Sequence, residues 1–396
     1  MQRITGTISR GLRTPIIREG DDIAKIVTDT VIEASKMEGY EIKDRDVVTV
    51  TESVVARAQG NYATVDDIAH DVKSKFDDGK IGVVFPILSR NRFSLILKGI
   101  AKGADHVVIQ LSYPSDEVGN HFVSLDELDE KNVDPYKDEF DEKEFKALFK
   151  NVVHTFTGVD YIQFYREIVE QSGAKCDIIL ANDPKTILKH TKNVINCDIH
   201  TRKRTKTILQ NAGAKKVCSL DEIMTKSING SGYNADYGLL GSNKATEDKL
   251  KLFPRDCREL ALKIQKNIKE ITGKTVEVMV YGDGAFKDPV GKIWELADPV
   301  VSPGYTDGLK GTPSEIKLKY IADNNFANLK GEDLQNAMVD YIKGKEKDLV
   351  GNMVSEGTTP RQLTDLLGSL SDLTSGSGDK GTPVVYIQGY FDNYTN

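Results

Sequence analysis

Cysteine and tryptophan are scarce in this chain, and long apolar runs are missing altogether. Four cysteines, Cys176, Cys197, Cys218 and Cys257, lie scattered through 396 residues with no Cys-x-x-Cys spacing, so neither a zinc site nor a disulfide framework is indicated. Cys176, Cys197 and Cys218 sit in or beside apolar runs, where a buried reduced thiol is expected. No apolar stretch reaches the roughly 18 residues of a membrane span. The opening MQRITGTISRGLR lacks the apolar core of a secretory signal, so the expectation is a cytoplasmic protein with no membrane contact. A formal net charge of -7 is small for this length and argues against a nucleic-acid partner. With 39% hydrophobic and 29% charged residues, the chain can bury a large core.

The only tryptophan, Trp294, lies in YGDGAFKDPVGKIWELADPVVSPGYTDG, residues 281–308, and the chain reads as organised around this stretch. A short alternating run, Val276 to Tyr281, predicts a strand ending at Gly282-Asp283-Gly284. Asp283 is then either part of a tight turn or a strand-end carboxylate facing a metal or phosphate, with glycines admitting the ligand.

Near the start, Gly20-Asp21-Asp22 introduces a helix with Ile23, Ile26, Val27 and Val31 at helical spacing, and either aspartate can cap it. Val47 to Val50 form a strand that turns at Thr51 to Ser53 into a short helix carrying Arg57 one turn in, a geometry able to hold an anion. Val107 to Leu111 is a further strand, followed by Asp116, Glu117 and Asn120 in a polar turn. Residues 126–150 are strongly charged and read as a surface linker and helix.

From about Gly158 to Met224 the pattern changes. Cys176-Asp177-Ile178 and Cys197-Asp198-Ile199 are each followed by Lys-Thr-Ile-Leu, at 185–188 and 206–209, with a looser copy from Cys218. Short apolar runs alternating with helix-like runs predict parallel strands with crossovers. At strand ends lie Asp183 and the basic run His200 to Arg204, either a clamp for a phosphate or carboxylate or a solvated helix start. The tail SGSGDKGTPVVYIQGYF places a Gly/Ser-rich run before a strand, either a flexible loop or a cradle of backbone N–H groups.

EGDDIAKIV, DRDVVTVTESVVARAQG, EITGKTVEVMVYGDG and SGSGDKGTPVVYIQGY fall in the order, and with the character, of the coenzyme F420-0:gamma-glutamyl ligase family, which the chain resembles over roughly its first and last 125 residues. The resemblance implies an α+β ligase-like fold with an inserted α/β region of parallel βα units. The expected divisions are residues 1–129 and 273–396 for the two parts of the ligase-like domain and 130–272 for the insertion. It also implies a homodimer and a GTP-dependent ligation of L-glutamate to an acceptor carboxylate through an acyl-phosphate, with Mg²⁺ or Mn²⁺. Carried over position by position, Thr14, Pro15, Ile16 and Ile17 match a nucleotide-contacting segment, and Ser53, Arg57 and Asn120 match further nucleotide contacts. Ser375, Gly376, Ser377, Gly378, Asp379, Gly381 and Thr382 match its glycine-rich nucleotide loop, and Glu117 and Asp283 its metal-binding carboxylates.

Three positions depart from the pattern. Gly284 stands where the family has a threonine, and Ser377 or a neighbouring glycine stands at an acidic position that Asp379 fills only in a shifted register. Glu52 replaces a hydroxyl, and its charge is expected to repel a nucleotide phosphate unless a metal intervenes. No general base is identifiable. Two other readings stay open: a non-catalytic nucleotide- or phosphate-binding module, and a different ligase or phosphotransferase whose acceptor pocket uses Asp183, His200 and Arg202.

Overall fold

A computed structural model describes residues 4–395 apart from 156, 283–284, 288–293, 297–301, 347, 350, 356–361 and 376–377. The architecture mixes helices and sheets, an α+β arrangement in which two larger sheets are built from different parts of the chain.

The first has five strands in the order β1 (Ile8–Leu12), β16 (Val384–Gln388), β2 (Val47–Thr51), β12 (Glu277–Tyr281) and β15 (Gly304–Tyr305). The runs VVTVT, EVMVY and VVYIQ are rich in β-branched and aromatic residues and are buried along almost their whole lengths, as strands covered on both faces must be. One face carries α1 (Ile23–Glu38), α2 (Glu52–Ala58) and α9 (Cys257–Thr272), packed over Val48, Val50, Val278 and Tyr386. Asp22 caps α1 by accepting from the Lys25 N–H at 3.2 Å, which settles which aspartate caps the helix. The other face, with Val47, Met279 and Ile387, is covered by α12 (Leu363–Ser375).

The second sheet has six strands in the order β6 (Phe140–Asp141), β7 (Lys175–Leu180), β5 (His106–Leu111), β4 (Lys80–Val84), β8 (Asn193–Asn196) and β9 (Lys216–Ser219). All pair in parallel except β6. Chain order therefore runs outward from β4 through β5 to β7, then returns to β8 on the opposite side of β4, the doubly wound pattern with its switch point between β4 and β8. Cys176 lies in β7 and Cys218 in β9, but Cys197-Asp198-Ile199 follows the end of β8, so the expected repeat does not fall in register on the strands. The sheet spans 80–219, so the division expected at 129/130 runs between β5 and β6 of one sheet.

On one face of this sheet pack α3 (Val65–Lys75), α4 (Ser94–Lys102), α5 (Leu125–Glu130), α6 (Glu142–Leu148) and α7 (Tyr161–Gln171). The charged segment 126–150 is thus more than a surface linker: Leu128, Phe145 and Phe149 are buried, because its apolar residues recur at helical spacing among the charges. A 3-10 segment (Pro184–Lys189) and α8 (Arg202–Asn211) cover the other face. A three-stranded sheet, β3 (Tyr62–Thr64), β11 (Lys249–Lys251) and β10 (Asn243–Lys244), joins the two parts of the molecule, and the pair α10 (Leu318–Asn325) and α11 (Gly331–Lys343) precedes α12. The strands β13 (Ala285–Lys287) and β14 (Trp294–Leu296) pair as a hairpin. No helix among the described residues is long and apolar enough to cross a membrane.

Candidate active site

Four sequence-distant segments meet at one end of the five-stranded sheet. Leu12, the last residue of β1, opposes Val384 at the start of β16, and Val384 opposes Val50 of β2. Tyr281 at the end of β12 lies beside Thr51 at the end of β2, whose N–H donates to the Pro383 carbonyl at 3.0 Å. The exits of β1, β2 and β12 and the entry of β16 therefore share an edge. The segments leaving or entering there carry Thr14 to Ile17, Ser53, Arg57 and the ends of the terminal Gly/Ser-rich loop.

Ile17 is buried and anchors the segment after β1, while Ile16 is 80% exposed. Ser53 and Arg57 are both exposed and four residues apart on α2, so they share one helix face. Ser375 closes α12, and the hydroxyl of Thr382 donates to the Ser375 carbonyl at 2.5 Å, which ties the ends of the terminal loop together. Thr382 also lies against Gly11, where an added Cβ would stand 3.2 Å from the threonine Cβ. Gly378 to Lys380 form a 3-10 turn with Asp379 exposed, and Gly381 has a positive φ of 65° that suits glycine. Asp283, Gly376 and Ser377 lie outside the described residues.

Glu52 does not stand as an uncompensated charge. Its side chain is buried and accepts from Lys251 Nζ at 2.8 Å. The counter-charge that sequence reasoning sought in a metal is supplied here by a lysine of β11. Nothing local in the sequence points to a partner 199 residues away.

Glu117 and Asn120 belong to the second sheet, in the loop after β5. Glu117 Oε1 accepts from the Ile199 N–H at 2.6 Å and Oε2 from the His200 N–H at 2.9 Å, so its carboxylate is fixed by the loop after β8. The residue keeps solvent contact, yet protein surrounds the carboxyl. Lost hydration, reinforced by the Asp198 carboxylate, pushes it up to about 8 against the two N–H bonds that favour the anion. Asp198 is itself held by Thr201 and Thr205.

Asn120 is part of a buried polar chain. Its amide donates to Asp116 Oδ2 at 2.7 Å and its carbonyl oxygen meets His154 Nε2 at 2.9 Å. Asp116, which the sequence reading passed over in favour of Glu117, also accepts from the Leu88 N–H at 2.7 Å, and burial raises its carboxyl. Four acceptor contacts from backbone and Asn120 give Asp116 the task of joining the loops after β4 and β5. The one available signal was Ser-Asp just past a strand with Asn four residues on.

The structure thus puts Ser53, Arg57, Ser375 and Thr382 at the first sheet, and Glu117 together with Asn120, expected as a nucleotide contact, at the second. Both Glu117 oxygens are taken by backbone N–H groups and burial favours the neutral carboxyl, so the residue as placed does not fit a divalent ion. Among the described residues, no group of three or more His, Cys, Asp or Glu side chains is placed to hold a metal ion. Of the alternative acceptor residues, Arg202 is engaged by Asp221 at 3.0 Å and by the Ile199 carbonyl at 2.7 Å, and His200 sits beside Glu117. Asp183 instead lines a cleft with Arg204.

No curated protein matches the chain significantly. A sequence model of the F420-0:Gamma-glutamyl ligase family matches residues 11–389, which takes in the second sheet and all of the first except the start of β1. The chain therefore belongs to the F420-0:gamma-glutamyl ligase family, and with it to a class of ligases.

Proposed function

We propose that this protein is a cytoplasmic, homodimeric ligase with an F420-0:gamma-glutamyl ligase-like fold that joins L-glutamate, or a similar amine, to an acceptor carboxylate at the expense of GTP. The observation that carries the reading is the meeting of the segments after β1, β2 and β12 with the loop before β16 at one sheet edge, supported by family membership.

A carboxylate does not react with an amine at neutral pH without a better leaving group. In the proposed sequence the acceptor oxygen attacks the γ-phosphorus and GDP departs, leaving an acyl-phosphate. The amine nitrogen then attacks the carbonyl carbon, loses a proton, and inorganic phosphate leaves. Such transfers ask the protein chiefly for positioning and charge neutralisation. Exposed Ser53 and Arg57, the Thr14–Ile17 segment and the loop 375–382 would hold the nucleotide, with Arg57 as a charge clamp. Mg²⁺ or Mn²⁺ would neutralise charge on the transferred phosphoryl group, with Asp283 as the expected ligand left to it once Glu117 is committed to the Ile199 and His200 N–H groups.

Calorimetry with GTP and MnCl₂ tests the first half, and glutamate-dependent release of inorganic phosphate tests the second. Absence of metal-dependent nucleotide binding sinks the ligase reading. Binding without glutamate-dependent release favours a non-catalytic module, to which the glycine at 284 in place of a hydroxyl ligand already inclines.

A further inference from the structure

A cleft of about 620 Å³ opens between the 3-10 segment Pro184–Lys189 and α8, at the carboxyl end of the second sheet. Its volume falls in the range of small-molecule sites, and it lies beside the exit of β7 rather than at the switch point between β4 and β8. One wall is the stripe Arg204, Ile208 and Asn211, spaced i, i+4, i+7 on α8, while Thr205 and Leu209 turn inward. The opposite wall is Asp183 and Lys185, with Tyr136 at the rim, 89% exposed.

The charges are unevenly satisfied. Lys185 pairs with Asp183 at 3.1 Å, Arg202 with Asp221 at 3.0 Å and Lys206 with Glu222. Among the described residues the exposed guanidinium of Arg204 forms no ion pair. Beneath the cleft, and outside its lining, one buried acceptor is left over. Gln110 and Val108 share a face of β5, the face on which α8 and the 3-10 segment pack. Gln110 is wholly buried, and its amide nitrogen bonds the carbonyls of Ala181 at 3.0 Å and Asp183 at 2.8 Å. Its Oε1 has no hydrogen-bond partner, a costly state for a buried acceptor. The first βα connection, FPILSRNRF after β4, has no glycine-rich turn, so the sheet lacks the dinucleotide fingerprint.

We infer that this cleft binds a small anionic molecule through a carboxylate or phosphate paired with Arg204. Arg204 takes the part that sequence reasoning gave to Arg202.

The test uses the full chain with Tyr136→Trp as a local reporter, titrated separately with inorganic phosphate and with succinate. The expected result is a saturable fluorescence change with at least one of the two, the better binder showing which anion the cleft prefers. Arg204→Ala should weaken that binding roughly tenfold, as loss of a charge-assisted pair does, and Arg204→Lys should restore part of it. Lys203→Ala, on an exposed residue off the stripe, should leave it unchanged. No saturable change with either anion overturns the inference, as does equal weakening by Arg204→Ala and Lys203→Ala, which is diffuse charge alone. Unchanged far-ultraviolet circular dichroism of the variants excludes misfolding. GTP binding measured on the same preparation keeps the two readings apart. Cleft binding without GTP binding leaves the cleft and removes the ligase, and the converse does the reverse.

Discussion

Lys251 Nζ lies 2.8 Å from Glu52 Oε1, with both side chains almost completely removed from solvent. The lysine comes from β11, in the small sheet between the two larger ones, and the glutamate opens α2 at the end of β2. The ion pair is therefore a tie between the two parts of the molecule, set beside the edge where β1, β2, β12 and β16 meet. A buried pair of this kind contributes little beyond an apolar replacement, but losing one partner is expensive. Lys251→Met is expected to destabilise the protein by about 3–5 kcal/mol, because it strands a buried carboxylate. Glu52→Gln with Lys251→Met should recover most of that loss. Urea denaturation of the single and double variants measures the coupling, and equal stability of both would show the pair to be dispensable.

His154 sets a pH dependence. It is buried, and lost hydration followed by the charge of Arg90 lowers its pKa below the usual 6.5. Its Nδ1 accepts from the Thr157 N–H at 3.1 Å, so the proton belongs on Nε2, facing Asn120 Oδ1. In the folded protein the ring resists a second proton that the unfolded chain takes up near 6.5. The unfolded state therefore binds more protons below that value, and stability falls as pH drops through it. Denaturation midpoints between pH 5 and 7.5 should fall with acid in the parent and less in His154→Gln. Identical slopes would mean that other groups carry the dependence.

Much of this was legible in local pattern. Val47 to Thr51 and Val384 to Gln388 announce themselves as strands through β-branched density, and Cys176 and Cys218 lie in parallel strands while Cys197 falls just past the end of β8. Membership in the family was likewise carried by four short segments. What stayed hidden were pairings between distant residues. The strands at 80–84 and 106–111 look no different from those of the first sheet, so nothing in their residues says that they join β7 and β8. Asp116 and Glu117 are adjacent carboxylates in one turn, and only the fold reveals that one is buried under Leu88 while the other meets Ile199 and His200.

Gly99 shows a close approach deciding the sign of a substitution. Glycine inside a helix ordinarily costs about 0.5–1 kcal/mol relative to alanine, so Gly99→Ala in α4 looks stabilising from the sequence. A Cβ there would stand 2.6 Å from Ile68 Cγ2 and 2.7 Å from Ile68 Cβ, and Ile68 is wholly buried on α3. Overpacking of that kind costs about 1–3 kcal/mol, which outweighs the helix term. Gly99→Ala should therefore lower the denaturation midpoint, and Ile68→Val in the same chain should return part of the loss. A midpoint raised by Gly99→Ala alone would show that α3 and α4 can move apart freely.

The terminal loop should bind nucleotide only while its ends are held together. Thr382 does this twice, through its hydroxyl on the Ser375 carbonyl and through contact with Gly11 of β1. Thr382→Val keeps the branched shape against Gly11 and removes only the hydroxyl, so the Ser375 carbonyl loses its partner while β16 remains paired with β1 and β2. The bond is partly buried, so its loss costs global stability about 1 kcal/mol. Nucleotide affinity should suffer more, since a loop freed at one end must be ordered again on binding. Calorimetric titration with GTP and MnCl₂ is expected to show affinity reduced roughly tenfold, the value of about 1.4 kcal/mol. Arg57→Ala should weaken binding by a comparable factor without changing the denaturation midpoint, because its exposed side chain spans no buried contact. If both variants bind nucleotide as the parent does, the edge where β1, β2, β12 and β16 meet is not the nucleotide site.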